Sequence, residues 1–158
     1  MKILLTTFTT WMPHQRSNAS DDLIQAIVNR CPPDCYFLRQ LPVDFELAPR
    51  YTIDKINEVQ PDVVICCGMA ADRRKLSLES NGKFQSEILR SPFDLERLIE
   101  STTITEISHD AGNFVCNYLY YCILKHINQP CLFVHVPVLT SENTELIVQD
   151  FLSILERI

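Results

Sequence analysis

Residues 104–136, ITEISHDAGNFVCNYLYYCILKHINQPCLFVHV, pass from an apolar run through a turn and a helical period into a second apolar run. Ile104 to Ser108 reads as a strand, and Asp110-Ala111-Gly112 as a tight strand-to-helix turn. From Asn113 to Asn128 the apolar residues Phe114, Val115, Tyr118, Leu119, Cys122, Ile123 and Ile127 recur at helical spacing. This is the best-defined helix of the chain. Leu132 to Val136 then returns to a strand, so a helix links two strands as it does in α/β layered folds.

The same alternation extends outward. Further strands are expected at Ile3 to Thr7, Tyr36 to Leu41 and Val63 to Cys67. Between them, Asp21 to Asn29 follows Ser20 as a candidate N-cap, and Pro49 to Val59 opens on a proline and stops before Pro61. Ser91-Pro92 opens a helix through Glu100, and Ser141, with Glu142 and Glu145 in the first turn, opens the last one, which runs to Ile158. Asn81 to Ser91 is the least regular stretch and is expected to be a loop. With no internal repeat and no low-complexity linker, residues 1–158 are expected to form a single domain.

Composition narrows the function. The 158 residues are 46% hydrophobic and 22% charged, which is ordinary for a globular protein, and no apolar stretch is long enough to span a bilayer. MKILLTTFTTW at the start reads as a buried strand rather than a signal peptide. Seven cysteines, an odd number, point to reduced thiols and a cytoplasmic setting, which leaves the sequon at Asn18 idle. A net charge of -6 argues against nucleic acid and anionic membranes as partners. Only three glycines, at 68, 82 and 112, leave no dinucleotide fingerprint and no phosphate-cradling loop.

Three residues could carry chemistry. Cys116 falls in the first turn of the central helix, where unpaired N–H groups and the helix dipole favour a thiolate, although position alone leaves a packed thiol equally open. His135 sits near the end of a strand, where a polar residue is rare unless paired or functional, and where open α/β sheets place their sites. Glu79 could orient an imidazole, but by itself reads as a surface carboxylate. Cys31-Pro-Pro-Asp-Cys35 lacks the spacing of a zinc knuckle and reads as a turn. Cys66-Cys67 reads as core, and His14, His109 and His126 show no ligand spacing, so no metal is expected. There is no GxSxG nucleophile elbow.

Ser108-His-Asp-Ala111-Gly112-Asn-Phe114-Val115-Cys116-Asn117-Tyr118 resembles the nucleophile segment of the pyrrolidone carboxyl peptidases, also called pyroglutamyl peptidases. Phe133-Val134-His135-Val136-Pro137 is similar to that family's histidine strand, and Glu79, Cys116 and His135 stand in the family's order. Pro61-Asp62-Val63-Val64-Ile65 leads into Gly68, with Arg73 and Glu79 at the offsets of the family's arginine and catalytic glutamate. The opening strand looks similar too, with Phe8 and Trp11 at its two aromatic positions. The chain departs from the pattern in four places. Thr-Thr-Phe8-Thr-Thr-Trp11-Met12-Pro13 replaces a glycine-rich loop, Met69 stands where many relatives have glutamine, Ser80 replaces an arginine, and Asn81 to Ser91 is short.

The resemblance implies a three-layer α/β/α sandwich with a mixed, mostly parallel sheet. It also implies a cysteine peptidase that removes N-terminal pyroglutamate through an acyl-enzyme. Cys116 would be the nucleophile, His135 the acid and base, and Glu79 the group that orients His135. No cofactor is implied. Helix-start N–H groups, aided by Arg73, would hold the oxyanion, while Phe8, Trp11, Phe114 and Val115 would form an apolar slot for the lactam ring of a small peptide or cyclic amide. A thiol amidohydrolase of other specificity and a catalytically silent binding relative are the alternatives, and the oligomeric state is left open.

Overall fold

Along the chain the elements run β1 (Ile3–Phe8), α1 (Ala19–Ile27), β2 (Cys35–Leu41), α2 (Leu47–Val59), β3 (Val63–Met69), β4 (Leu76–Glu79), β5 (Asn81–Phe84), β6 (Glu87–Arg90), α3 (Leu95–Ile99), β7 (Thr105–Ser108), α4 (Val115–His126), β8 (Cys131–Val136) and α5 (Thr144–Arg157). These come from a computed structural model that describes residues 1–158. Six strands form one sheet in the order β2-β1-β3-β8-β4-β7. All neighbours are parallel except β4 and β8, so β4 and β7 run together against the other four.

The apolar runs become strands because both faces of the sheet are covered. Consecutive residues go to opposite cores. Leu5, Ile65 and Val134 pack with α1, α3 and α5, while Leu4, Val64 and Phe133 pack with α2 and α4. The result is the three-layer α/β/α sandwich with a mixed, mostly parallel sheet.

Local chemistry shifts several expected boundaries. Asn18, not Ser20, caps α1, its side chain accepting from the Ser20 N–H at 3.0 Å. Ser20 lies within the first turn, where its hydroxyl accepts from the Phe8 N–H at 3.2 Å and ties the helix to β1. The helix expected from Ser91-Pro92 is confined to Leu95–Ile99, because Asp94 caps it through the Arg97 N–H at 3.2 Å. In α4 the start moves to Val115, since Asp110 to Asn113 are consumed by the turn. Gly112 has φ +76°, a left-handed conformation open to glycine, and its N–H donates to Asp110 Oδ1 at 2.9 Å.

Asn81 to Ser91 is not a loop. It forms the β5/β6 hairpin, a separate two-stranded antiparallel sheet lying on α4. The buried Asn117 holds it there, accepting from the Lys83 N–H at 3.1 Å and donating to the Lys83 carbonyl at 2.8 Å. At the far end, Tyr121 and Lys125 both bind the Glu87 carboxylate.

Asn117→Ala removes both bonds and strands the Lys83 backbone groups at a packed interface, so it should lower stability by about 1–3 kcal/mol. Thermal unfolding should show a lower Tm, and hydrogen exchange should show lost protection confined to residues 81–90.

Candidate active site

The site begins at the ends of two neighbouring strands. His135, the next-to-last residue of β8, faces the α2/α4 layer and pairs with Gly68 of β3. A Cβ built on Gly68 would lie 3.0 Å from Cys116 Cβ and 3.3 Å from its Sγ. Glycine there makes room for the first turn of α4, and Cys116 drops into the space, with Sγ 3.6 Å from His135 Nε2.

Glu79 arrives from the other side of β8. In the antiparallel register Ser77 pairs with His135, so Glu79, two residues on, shares its face and is its diagonal neighbour. Its Oε1 lies 2.7 Å from His135 Nδ1. The Arg73 guanidinium donates to the same oxygen at 2.6 Å and to the Asp110 carbonyl at 2.9 Å, joining the segment before β4 to the turn before α4. Glu79 is 0% exposed and His135 3%, and Glu79 Oε2 has no hydrogen-bond partner. Arg73, expected to help an oxyanion, is instead committed to Glu79 and Asp110.

Burial works against the Glu79 charge. The hydrogen bond and charge of His135, together with the charge of Arg73, outweigh it, and the carboxyl is held below the usual range. Cys116 goes the opposite way to the expected thiolate. Desolvation pushes it up to about 12, although the Asn117 and Cys116 N–H groups at the helix start pull it down. At neutral pH it is a thiol. An Nδ1–H directed at Glu79 leaves the lone pair of His135 Nε2 facing that thiol, the arrangement needed to take its proton.

The three residues line or underlie a cavity of about 570 Å³. Gly68, Cys116 and His135 are at its base, and Phe8 and Val115 are buried in its wall. Trp11 and Phe114 stand half-exposed at the rim with ring centroids 6.0 Å apart. Arg73 and Met69 also border it. Val43 and Phe45, from the loop after β2, and Gln15, from the loop after β1, also line it, as do Asp72 and Asp110, and no periodicity in the sequence marks Val43, Phe45 or Gln15. No group of three or more His, Cys, Asp or Glu side chains is placed to hold a metal ion.

Residues 94–150, which include Cys116 and His135, match a protein family described as pyroglutamyl peptidase. The pyrrolidone-carboxylate peptidase of Thermoanaerobacter sp. (strain X514) is 26% identical over 170 residues, covering 88% of this chain and 83% of the relative. That of Brachyspira hyodysenteriae is 24% identical over 188 residues, covering 96% of this chain and 93% of the relative. In structure, a mutant pyrrolidone carboxyl peptidase from Pyrococcus furiosus superposes with a TM-score of 0.82 at 21% identity, covering 99% of this chain and 97% of that one. Pyroglutamyl peptidase I from Bacillus amyloliquefaciens gives 0.81 at 19%, covering 96% and 91%. The two superpositions bear on the fold alone.

Because the folded-state value of Glu79 is depressed, its ionised form stabilises the fold above the ordinary carboxylate pKa, and that contribution is lost as pH falls through the folded value. Glu79→Gln should therefore be less stable than the parent at pH 7, and the gap in Tm should narrow as pH falls through and below the ordinary carboxylate range. Melting curves of the two proteins between pH 7 and 3 provide the check.

Proposed function

We propose that this chain, which is similar to the pyroglutamyl peptidases over residues 94–150 and 26% identical to a pyrrolidone-carboxylate peptidase, is a cysteine-type peptidase that removes N-terminal pyroglutamate from peptides. The observation that carries this reading is the continuous chain of contacts from Cys116 to His135 to Glu79, at the base of a cavity large enough for a small ring.

The resting thiol sets the order of events. As the Cys116 sulfur attacks the pyroglutamyl carbonyl, its proton passes to His135 Nε2, and the imidazolium is stabilised by Glu79 on Nδ1. His135 then gives that proton to the departing amine, leaving the acyl group on the sulfur. Water enters and attacks the thioester as it loses a proton to His135, and the adduct collapses to pyroglutamate while His135 returns that proton to the departing Cys116 sulfur. The first three N–H groups of α4 have no intrahelical acceptor, and the Tyr118 N–H is the first to bond back, to the Phe114 carbonyl at 3.1 Å. Free N–H groups beside the sulfur can receive the negative oxygen of the tetrahedral intermediate, and each good donor contributes about 3–4 kcal/mol. Arg73 acts behind this, holding Glu79 and the Asp110 turn in place.

A neutral lactam suits the part of the lining formed by Phe8, Val115, Trp11 and Phe114, which asks for no compensating charge. All seven thiols are free, which supports a reducing, cytoplasmic setting. One observation favours a second reading, a thiol amidohydrolase with another cyclic or N-terminal amide as substrate. Met69 borders the cavity, and its sulfur accepts from the Ala19 N–H at 3.4 Å, so an apolar thioether stands in the lining there.

The reduced protein should release a fluorophore from a pyroglutamyl amide. Cys116→Ser should lose at least about a thousandfold in kcat/KM and His135→Ala about 10²–10⁴-fold. Turnover that survives Cys116→Ser would remove Cys116 as the nucleophile. If no pyroglutamyl amide is turned over while Cys116 still reacts selectively with an alkylating agent, the second reading holds.

A further inference from the structure

The connection from β1 to α1, residues 9–18, turns back on itself without a glycine. Its base is closed by Asn18, whose Nδ2 donates to the Thr9 carbonyl at 3.0 Å. Its tip is closed by one residue. Gln15 Oε1 accepts from the Trp11 N–H at 3.0 Å and from the Met12 N–H at 3.2 Å, while the Gln15 N–H donates to the Met12 carbonyl at 3.1 Å. Pro13, His14 and Arg16, the other residues of the tip, make no side-chain hydrogen bond.

What the tip presents is Trp11. The indole is 51% exposed and faces Phe114, itself 59% exposed, at a 51° tilt across the mouth of the cavity. Two large aromatic side chains left half in water beside an apolar cavity have surface to bury when the cavity is filled. How well the indole can do so depends on where the Trp11 backbone is held, and the one side chain that bonds it is Gln15.

We propose that Gln15 is a positioning residue: by accepting the Trp11 and Met12 amides it sets the Trp11 indole as one leaf of a clamp that closes with Phe114 over a small uncharged ring in the cavity. That the ring is the acyl group of the substrate rests on the function proposed above, whereas the placement of Trp11 does not. Gln15 touches no reacting atom, so its effect falls on ring binding rather than on the chemistry at Cys116.

Trp11 is the one tryptophan of the chain, so selectively excited tryptophan emission reports this loop alone. Two variants are compared with the parent, Gln15→Ala, which deletes the acceptor, and Gln15→Glu, which keeps an oxygen in the same place. Gln15→Ala should make Trp11 more open to acrylamide quenching and raise KM for a pyroglutamyl amide about fivefold, with kcat within about twofold. Gln15→Glu should match the parent in quenching, because it keeps an acceptor for the Trp11 and Met12 amides. Unchanged quenching in Gln15→Ala overturns the proposal. So does a KM that stays put although quenching rises, or Gln15→Glu being quenched as Gln15→Ala is. If the parent turns over no pyroglutamyl amide, the proposed function fails by itself, and the quenching of the two variants alone decides the placement of Trp11.

Discussion

Glu79 is a carboxylate with no surface in contact with water, and a charge so placed persists only where the fold supplies its partners. It has two, and they come from different parts of the chain. His135 reaches it from β8 because β4 runs antiparallel to that strand, and Arg73 reaches it from the segment before β4. Arg73 also holds the Asp110 carbonyl, so the group that compensates Glu79 sets the turn from which α4 departs. The position of Cys116 over Gly68 thus depends on the same ion pair that orients His135. Both partners bind one oxygen of Glu79, which aligns the carboxylate along a single direction and leaves the other oxygen without a partner.

Burial governs the sulfur as well, with the opposite result. The N–H groups at the start of α4 lower the Cys116 pKa, as expected of a helix start, but desolvation is larger and the thiol keeps its proton. On the proposed mechanism the thiolate is therefore formed in the act of attack rather than stored. That makes the tautomer of His135 decisive. Glu79 on Nδ1 leaves Nε2 as the one ring nitrogen free to accept from Cys116.

Legibility in the sequence followed the kind of burial. β1, β3 and β8 were readable because each is covered on both faces and so appears as an unbroken apolar run. β4 was not, since four residues show no period and become a strand only through pairing with β7 and β8. The β5/β6 hairpin was hidden for a related reason. Its residues are mostly half-buried or exposed, and what holds it is Asn117, distant in sequence. For α1 the expected cap was Ser20, and Asn18, an equally good capping type two residues earlier, was passed over. Asn18 takes the role because its amide also bonds the Thr9 carbonyl, a contact across the loop.

The sequence by itself determined the alternation of strands and helices, the glycine-dependent turn into α4, and the placing of Cys116 and His135 at element ends, because each of these depends on neighbours within a few residues. The tertiary structure alone decided that Glu79 meets His135 and Arg73, that the Cys116 thiol is raised rather than lowered in pKa, and that Val43, Phe45 and Gln15 join Trp11 around one cavity. Those outcomes depend on distances between segments far apart in the chain and on how much water folding removes from each group, neither of which a local pattern of residues contains.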